Sequence, residues 1–173
     1  MKGRLGFILM LKLIIDSREQ KMLEFKNGIF GEFEVRKLVV ADYGAELDGI
    51  ELPLVFERKG KGDLYGTMTQ GYERFRKQIG KAKELGIKMV LLIEGSMREI
   101  ASGYEHSQFE GDSMLKKLAM LYVRYDLEYH FFNDRYEMAR HIEETFDAIR
   151  RNWVKKGLSV KNGVGVEEGK CVN

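Results

Sequence analysis

An α/β layered domain with a mixed central β-sheet flanked by helices is the fold class this sequence predicts. Short apolar runs alternate with amphipathic, charged stretches through the second half of the chain, the pattern of strands interleaved with helices. In the first half, Asp48-Gly49 lies between two strand-like runs and reads as a tight hairpin turn. A hairpin among otherwise alternating elements makes the sheet mixed rather than purely parallel. With 173 residues, one proline and 44% hydrophobic residues, the chain has enough material for one real core.

Leu11 to Ile15 is a short, nearly continuous apolar run ending in Asp16, hence a buried first strand. Gly28 and Gly31 punctuate a loop. Phe33, Val35 and Leu38 to Val40 suggest a second strand, and Tyr43 to Leu47 a third. After the turn, Leu52 to Phe56 returns as the next strand and runs into Glu57-Arg58-Lys59. Asp63 suits the cap of a short helix ending near Gly71. Tyr72 to Leu85 reads as a charged helix with Phe75, Ile79 and Ala82 on one face and Gly86 as its stop. Met89 to Ile93 is an interior strand. Residues 95–111 read as an irregular exposed loop. Ser113 suits the cap of a helix to about Tyr125, Leu127 to Phe132 forms a further strand, and Asn133 or Asp134 caps a final helix to about Trp153. The expected organisation is an N-terminal extension over 1–10, with Met10 a second candidate start, a domain over 11–156, and a flexible tail over 157–173.

Composition excludes several classes. A single cysteine, Cys171, cannot form an intramolecular disulfide, and with three scattered histidines it builds no structural zinc site of the usual kind. No apolar run reaches membrane-span length, and the run after Lys2 and Arg4 lacks a signal-peptide cleavage site. An intracellular protein, cytoplasmic or nucleoid, is therefore expected. Neither glycine-rich nucleotide-binding motif is present, so no nucleotide cofactor is expected. The net charge is only +2, but residues 57–88 carry nine basic and four acidic side chains, a local +5 against −3 elsewhere. Such a segment suits contacts with a phosphate backbone, though a solvated helix face has the same composition.

The chemistry centres on Glu57-Arg58-Lys59 at a strand end. Alternation puts Glu57 and Lys59 on one face and Arg58 on the other. A carboxylate beside an ammonium group at such a place suits phosphodiester hydrolysis: the carboxylate holds a divalent metal, and the lysine orients water or stabilises charge on the phosphate. Magnesium takes one or two carboxylates plus phosphate oxygens, and Asp42, opening the strand folded back beside Glu57, supplies the second. A surface charge pair is the ordinary meaning of Glu-x-Lys, but Leu54-Val55-Phe56 buries this strand end. Asp63 is either a plain helix cap or a partner of Arg58 or Lys59. Asp16-Ser17-Arg18-Glu19 closes the first strand, where open α/β folds place their chemistry, or is simply a charged turn.

Glu57-Arg58-Lys59-x-x-x-Asp63 resembles the Glu-Arg-Lys-x-x-x-Asp signature of the XPF-type (ERCC4-domain) structure-specific DNA endonucleases. Ile14 to Glu19 resembles that family's first strand with its Asp-x-Arg-Glu end. Asp42-Tyr43 is similar to its Gly-Asp-Tyr step, with Ala41 in place of the usual glycine. Arg74 and Gln78 resemble its Gly-Arg-x-x-x-Gln helix, with Gly71 displaced. The likeness spans about residues 11–150.

The resemblance implies a restriction-endonuclease-like fold and Mg2+- or Mn2+-dependent cleavage of branched, flapped or junction-containing DNA. It nominates Asp42 and Glu57 as metal ligands and Lys59 as water-positioning base or charge stabiliser, with Asp16, Arg18, Arg58 and Asp63 in support. Lys61, Arg74, Arg76, Lys77 and Gln78 fall on the expected DNA-binding segment. Known members carry a helix-hairpin-helix domain after the nuclease domain and act as dimers; residues 157–173 are too few for one. The alternative is a non-catalytic DNA-binding or scaffolding module with a vestigial or partner-dependent site. A homodimer through the C-terminal half is expected, because Met120, Tyr125, Phe131, Phe132, Met138, Phe146 and Trp153 exceed what one amphipathic face needs.

Overall fold

The computed structural model describes residues 9–155 and two short segments, 159–161 and 164–166. Seven strands form one mixed sheet in the order β2-β1-β3-β5-β6-β7, with β4 attached to β3. They are β1 (Leu11–Asp16), β2 (Glu32–Arg36), β3 (Tyr43–Leu47), β4 (Ile50–Glu51), β5 (Leu54–Lys59), β6 (Lys88–Glu94) and β7 (Glu128–Phe132). β1 runs parallel to β2 and antiparallel to β3, whereas β5, β6 and β7 are mutually parallel. Asp48 and Gly49 both take positive φ, 49° and 81°, the twist-matched turn expected of Asp-Gly, and join β3 to β4.

Helices cover both faces. α1 (Lys61–Met68), α2 (Tyr72–Glu84) and α4 (Gly111–Tyr125) pack through Leu64, Met68, Phe75, Ile79, Leu118 and Leu121 against Val55, Leu91 and Ile93. α5 (Arg135–Lys155) lies on the other face, where Met138, Ile142 and Phe146 meet Leu13, Phe56 and Leu92. Phe146 is fully buried and meets Phe56 edge to face at 5.4 Å. Asp134 caps α5 as expected, its Oδ1 accepting the Glu137 N–H at 2.8 Å.

Several boundaries differ from the sequence expectation. Strand β2 stops at Arg36, because the Leu38 N–H donates to the Asp16 carboxylate at 2.7 Å and Ala41 turns left-handed at φ 65°. Asp63 is not a cap: α1 starts at Lys61 after Gly60, which leaves Asp63 exposed in its first turn. α4 starts ahead of Ser113, at Gly111, where a Cβ would lie 1.9 Å from the Ala101 carbonyl oxygen and only glycine fits. The expected loop over 95–111 contains the short α3 (Met97–Ala101), fixed by a reciprocal capping box between Ser96 and Glu99. Leu9 packs into the core and the Met10 N–H bonds Asp48, so these two residues of the expected N-terminal extension belong to the domain; residues 1–8 lie outside the described ones. Within the expected tail, β8 (Ser159–Lys161) and β9 (Val164–Val166) pair antiparallel, and its other residues, Cys171 included, lie outside the described ones.

The surplus of aromatic and methionine side chains in the C-terminal half is mostly spent inside the domain. Met138 and Phe146 are fully buried, while Tyr125, Phe131, Phe132 and Trp153 pack against the two core clusters. Met120, with 41% of its surface exposed, is the exception. Among the described residues no helix is long and apolar enough to cross a membrane.

Candidate active site

The carboxyl end of β5 faces α2 across a cleft of about 600 Å³. Val55 turns into the core on this face, so the alternate positions Glu57 and Lys59 follow it toward the cleft. Glu57 is 4% exposed. Its carboxylate accepts from Lys59 Nζ at 2.5 Å and from Gln78 Nε2 at 2.7 Å. Thus the strand supplies the carboxylate and ammonium, and the helix supplies the amide that orients the carboxylate.

Asp42 enters from the neighbouring strand. Its N–H donates to the Phe56 carbonyl at 3.0 Å, and its own carbonyl accepts the Asp16 N–H at 2.8 Å. Its side chain accepts the Arg58 backbone N–H at 2.7 Å. These bonds hold Asp42 in the same cleft as Glu57. Burial, then the charge of Glu57, push the Asp42 carboxyl up to about 7, against the pull of the Arg58 N–H and of Lys59. The left-handed Ala41 immediately before it occupies a conformation that favours glycine, which accounts physically for a glycine at this step in the resembled motif.

Asp16 sits 1% exposed at the end of β1. Arg18 donates to it twice from its guanidinium, at 2.7 and 2.9 Å, and once from its backbone at 2.8 Å. Burial alone raises the Asp16 carboxyl, but the Arg18 and Leu38 hydrogen bonds outweigh it and hold the group below its ordinary value. Arg58 points to the opposite face of the sheet, as alternation requires, and pairs with Glu19 at 3.1 Å and Glu94 at 3.4 Å. Arg58 and Lys59 are thereby paired elsewhere than with Asp63.

The basic segment divides by helical direction. Arg74 and Lys77 are exposed on the α2 wall of the cleft, and Lys81, one turn beyond Lys77, joins them. Arg76 faces away, donating to the Tyr125 hydroxyl at 2.7 Å and to Glu73 at 2.8 Å, so it stitches α2 to α4. Lys61 also lies off the cleft, 3.4 Å from the Ser102 hydroxyl. Sequence reading missed Lys81, although its spacing from Arg74 and Lys77 is that of one helical face, and missed the pairing roles of Glu19 and Glu94.

Among the described residues no group of three or more His, Cys, Asp or Glu side chains is arranged to hold a metal ion. Asp16, Asp42 and Glu57 all line the cleft, and with Asp16 already held by Arg18 the carboxylates of Asp42 and Glu57 are the donor set a hard, oxygen-seeking cation uses. The residues present therefore fit magnesium or manganese.

Asp16 and Glu57 sit at or near the carboxyl ends of β1 and β5, and Asp42 lies just before the antiparallel β3, so the polar cluster gathers at one edge of a mixed sheet flanked by helices. The ERCC4 domain family matches residues 15–145, and the chain belongs to that family. XPF from Aeropyrum pernix has a similar structure, with a TM-score of 0.59 and 18% identity, covering 83% of this chain and 67% of that one. The same protein in complex with DNA gives 0.58 and 18%, covering 82% of this chain and 65% of that one. The chain thus spans about two thirds of the length of those structures. No curated protein matches it in sequence.

Proposed function

We propose that the protein is a divalent-metal-dependent DNA endonuclease that hydrolyses phosphodiester bonds, with branched, flapped or junction-containing DNA as its substrate. The observation that carries this reading is one cleft containing Asp42, Glu57, Lys59 and Gln78 beneath the Arg74, Lys77 and Lys81 rim. Membership of the ERCC4 domain family supports it, as does the likeness to XPF from Aeropyrum pernix in its complex with DNA.

Asp42 and Glu57 would hold Mg2+ or Mn2+, and the metal would supply Lewis acidity toward the phosphate. The chain's own contribution follows from its geometry. Arg74, Lys77 and Lys81 draw the backbone into the cleft and set its register by contacts to phosphates. Lys59, hydrogen-bonded to Glu57, keeps its remaining ammonium protons available for a water or a phosphate oxygen and stabilises the charge that develops there. Gln78 fixes the Glu57 carboxylate from the helix side, and the Arg58 N–H fixes Asp42 from the strand side. Arg18 neutralises Asp16 and so keeps a third carboxylate out of the metal chemistry.

The protein is further read as an intracellular homodimer. Met120, Tyr122 and Val123 on α4, with Tyr136 and Val154 on α5, are exposed apolar side chains of the C-terminal half, and sedimentation at tens of micromolar tests whether a dimer forms. The nuclease reading is tested with labelled flapped and plain duplexes, incubated with Mg2+ or with excess chelator. Cutting only with metal is the expected result. Undiminished cutting in chelator, or no cutting of any DNA, overturns it.

A further inference from the structure

Val39, Val40 and Ala41 line the cleft, and the segment from Leu38 is built to present one side chain there. Leu38 is locked to the Asp16–Arg18 pair at both of its peptide groups: its N–H donates to Asp16 Oδ2 at 2.7 Å, and its carbonyl accepts from Arg18 Nη2 at 3.2 Å. The Leu38 side chain is buried against Gly44, and Val40 and Ala41 are buried in the core beneath α1 and α2. The left-handed Ala41 then turns the chain down to Asp42. Between these anchors Val39 is 59% exposed, on a ridge separating the cleft from a smaller concavity of about 60 Å³.

Val39 borders charged groups on the cleft side and apolar side chains on the other, is more than half exposed, and has its backbone fixed on either side. A β-branched side chain is also stiff at χ1, so Val39 stands at the cleft mouth as a rigid apolar projection. It shares the cleft with the cations Arg74, Lys77 and Lys81. A nucleic-acid strand offers the complement of both: phosphates along one edge, sugars and base edges along the other. Apolar side chains inserted against base steps are a common way for proteins to fix position on DNA.

We infer that Val39 is a specificity-determining contact, packing against the deoxyribose or base edge next to the scissile phosphate and setting which phosphate reaches Asp42 and Glu57. This rests on the nuclease reading, and the test separates the two. Val39→Ser removes the apolar surface at an exposed position, and Val39→Thr keeps the branched shape while adding a hydroxyl. DNA binding is read by fluorescence anisotropy across a salt series, and cutting by the position of the labelled products.

The expected result for Val39→Ser is binding weakened about three- to tenfold with an unchanged salt slope, because an apolar contact releases no counter-ion. Its cuts spread over neighbouring phosphates, and Val39→Thr gives an intermediate pattern. Unchanged affinity together with a single unchanged cut position overturns the inference. A weakened affinity accompanied by a flattened salt slope overturns it too, since that marks an electrostatic effect. A wild-type protein that binds DNA without cutting it overturns the nuclease reading, and the affinity and salt slope of Val39→Ser then decide whether Val39 is a contact.

Discussion

Asp16 and Asp42 are neighbours on paired strands, joined by the Asp16 N–H to Asp42 carbonyl bond, yet their surroundings push them in opposite directions. Asp16 receives an arginine fork and two backbone N–H groups, and its carboxyl is held below its ordinary value. Asp42 is buried, receives one N–H and faces a second carboxylate, and burial first, then that charge, raise it to about 7. The difference separates structure from chemistry at one strand edge. A carboxylate already supplied with positive charge is a clamp. One buried beside a like charge is held above its ordinary value.

The largest expected effect follows from the second kind. Glu57→Gln or Asp42→Asn should lower the cleavage rate roughly a thousandfold in single-turnover assays while circular dichroism stays unchanged. Next is the cationic wall. Replacing Arg74, Lys77 and Lys81 together should reduce the slope of log affinity against log salt by about 2–3. Arg76→Ala, facing Tyr125 instead, should leave that slope as it is.

Asp16→Asn probes the clamp. It weakens the charge-assisted bonds from Arg18 and should cost about 1–3 kcal/mol, with about 2–4 °C of Tm lost per kcal/mol in calorimetry. The pH sign follows from the lowered carboxyl: its stabilisation is present above the ordinary value of 3.8 and is lost as pH falls through the folded-state value. The wild-type and Asp16→Asn melting curves should therefore converge in acid. The smallest effect has the opposite sign. In metal-free protein near neutral pH, Asp42→Asn removes the cost of burying a charge and its repulsion from Glu57, and should raise Tm slightly.

Much of this contrast is legible in the sequence, for reasons of periodicity. Strand alternation places Glu57 and Lys59 together and Arg58 behind them, and the four-residue step places Gln78 with Arg74. The same periodicity, applied to Arg76, turns it about 200° from Arg74, and a charge count that ignores direction groups it wrongly with the cleft. Asp63 reads as a cap because its residue type favours caps, but the backbone after Gly60 turns helical two residues earlier. α3 hides in a glycine-rich stretch despite its Ser96-x-x-Glu99 signature. Which aspartate is neutralised is not legible. Arg18 follows Asp16 by only two residues, and its fork closes on that carboxylate because the chain bends there toward Leu38.

Whether Asp42 and Glu57, rather than Asp16, form the cation site is decided by calorimetric titration of Mn2+ into the wild-type protein, Asp42→Asn, Glu57→Gln and Asp16→Asn. One site is expected in the wild type, kept in Asp16→Asn and lost in the other two. Binding undiminished in Glu57→Gln, or no binding in the wild type, would refute that assignment.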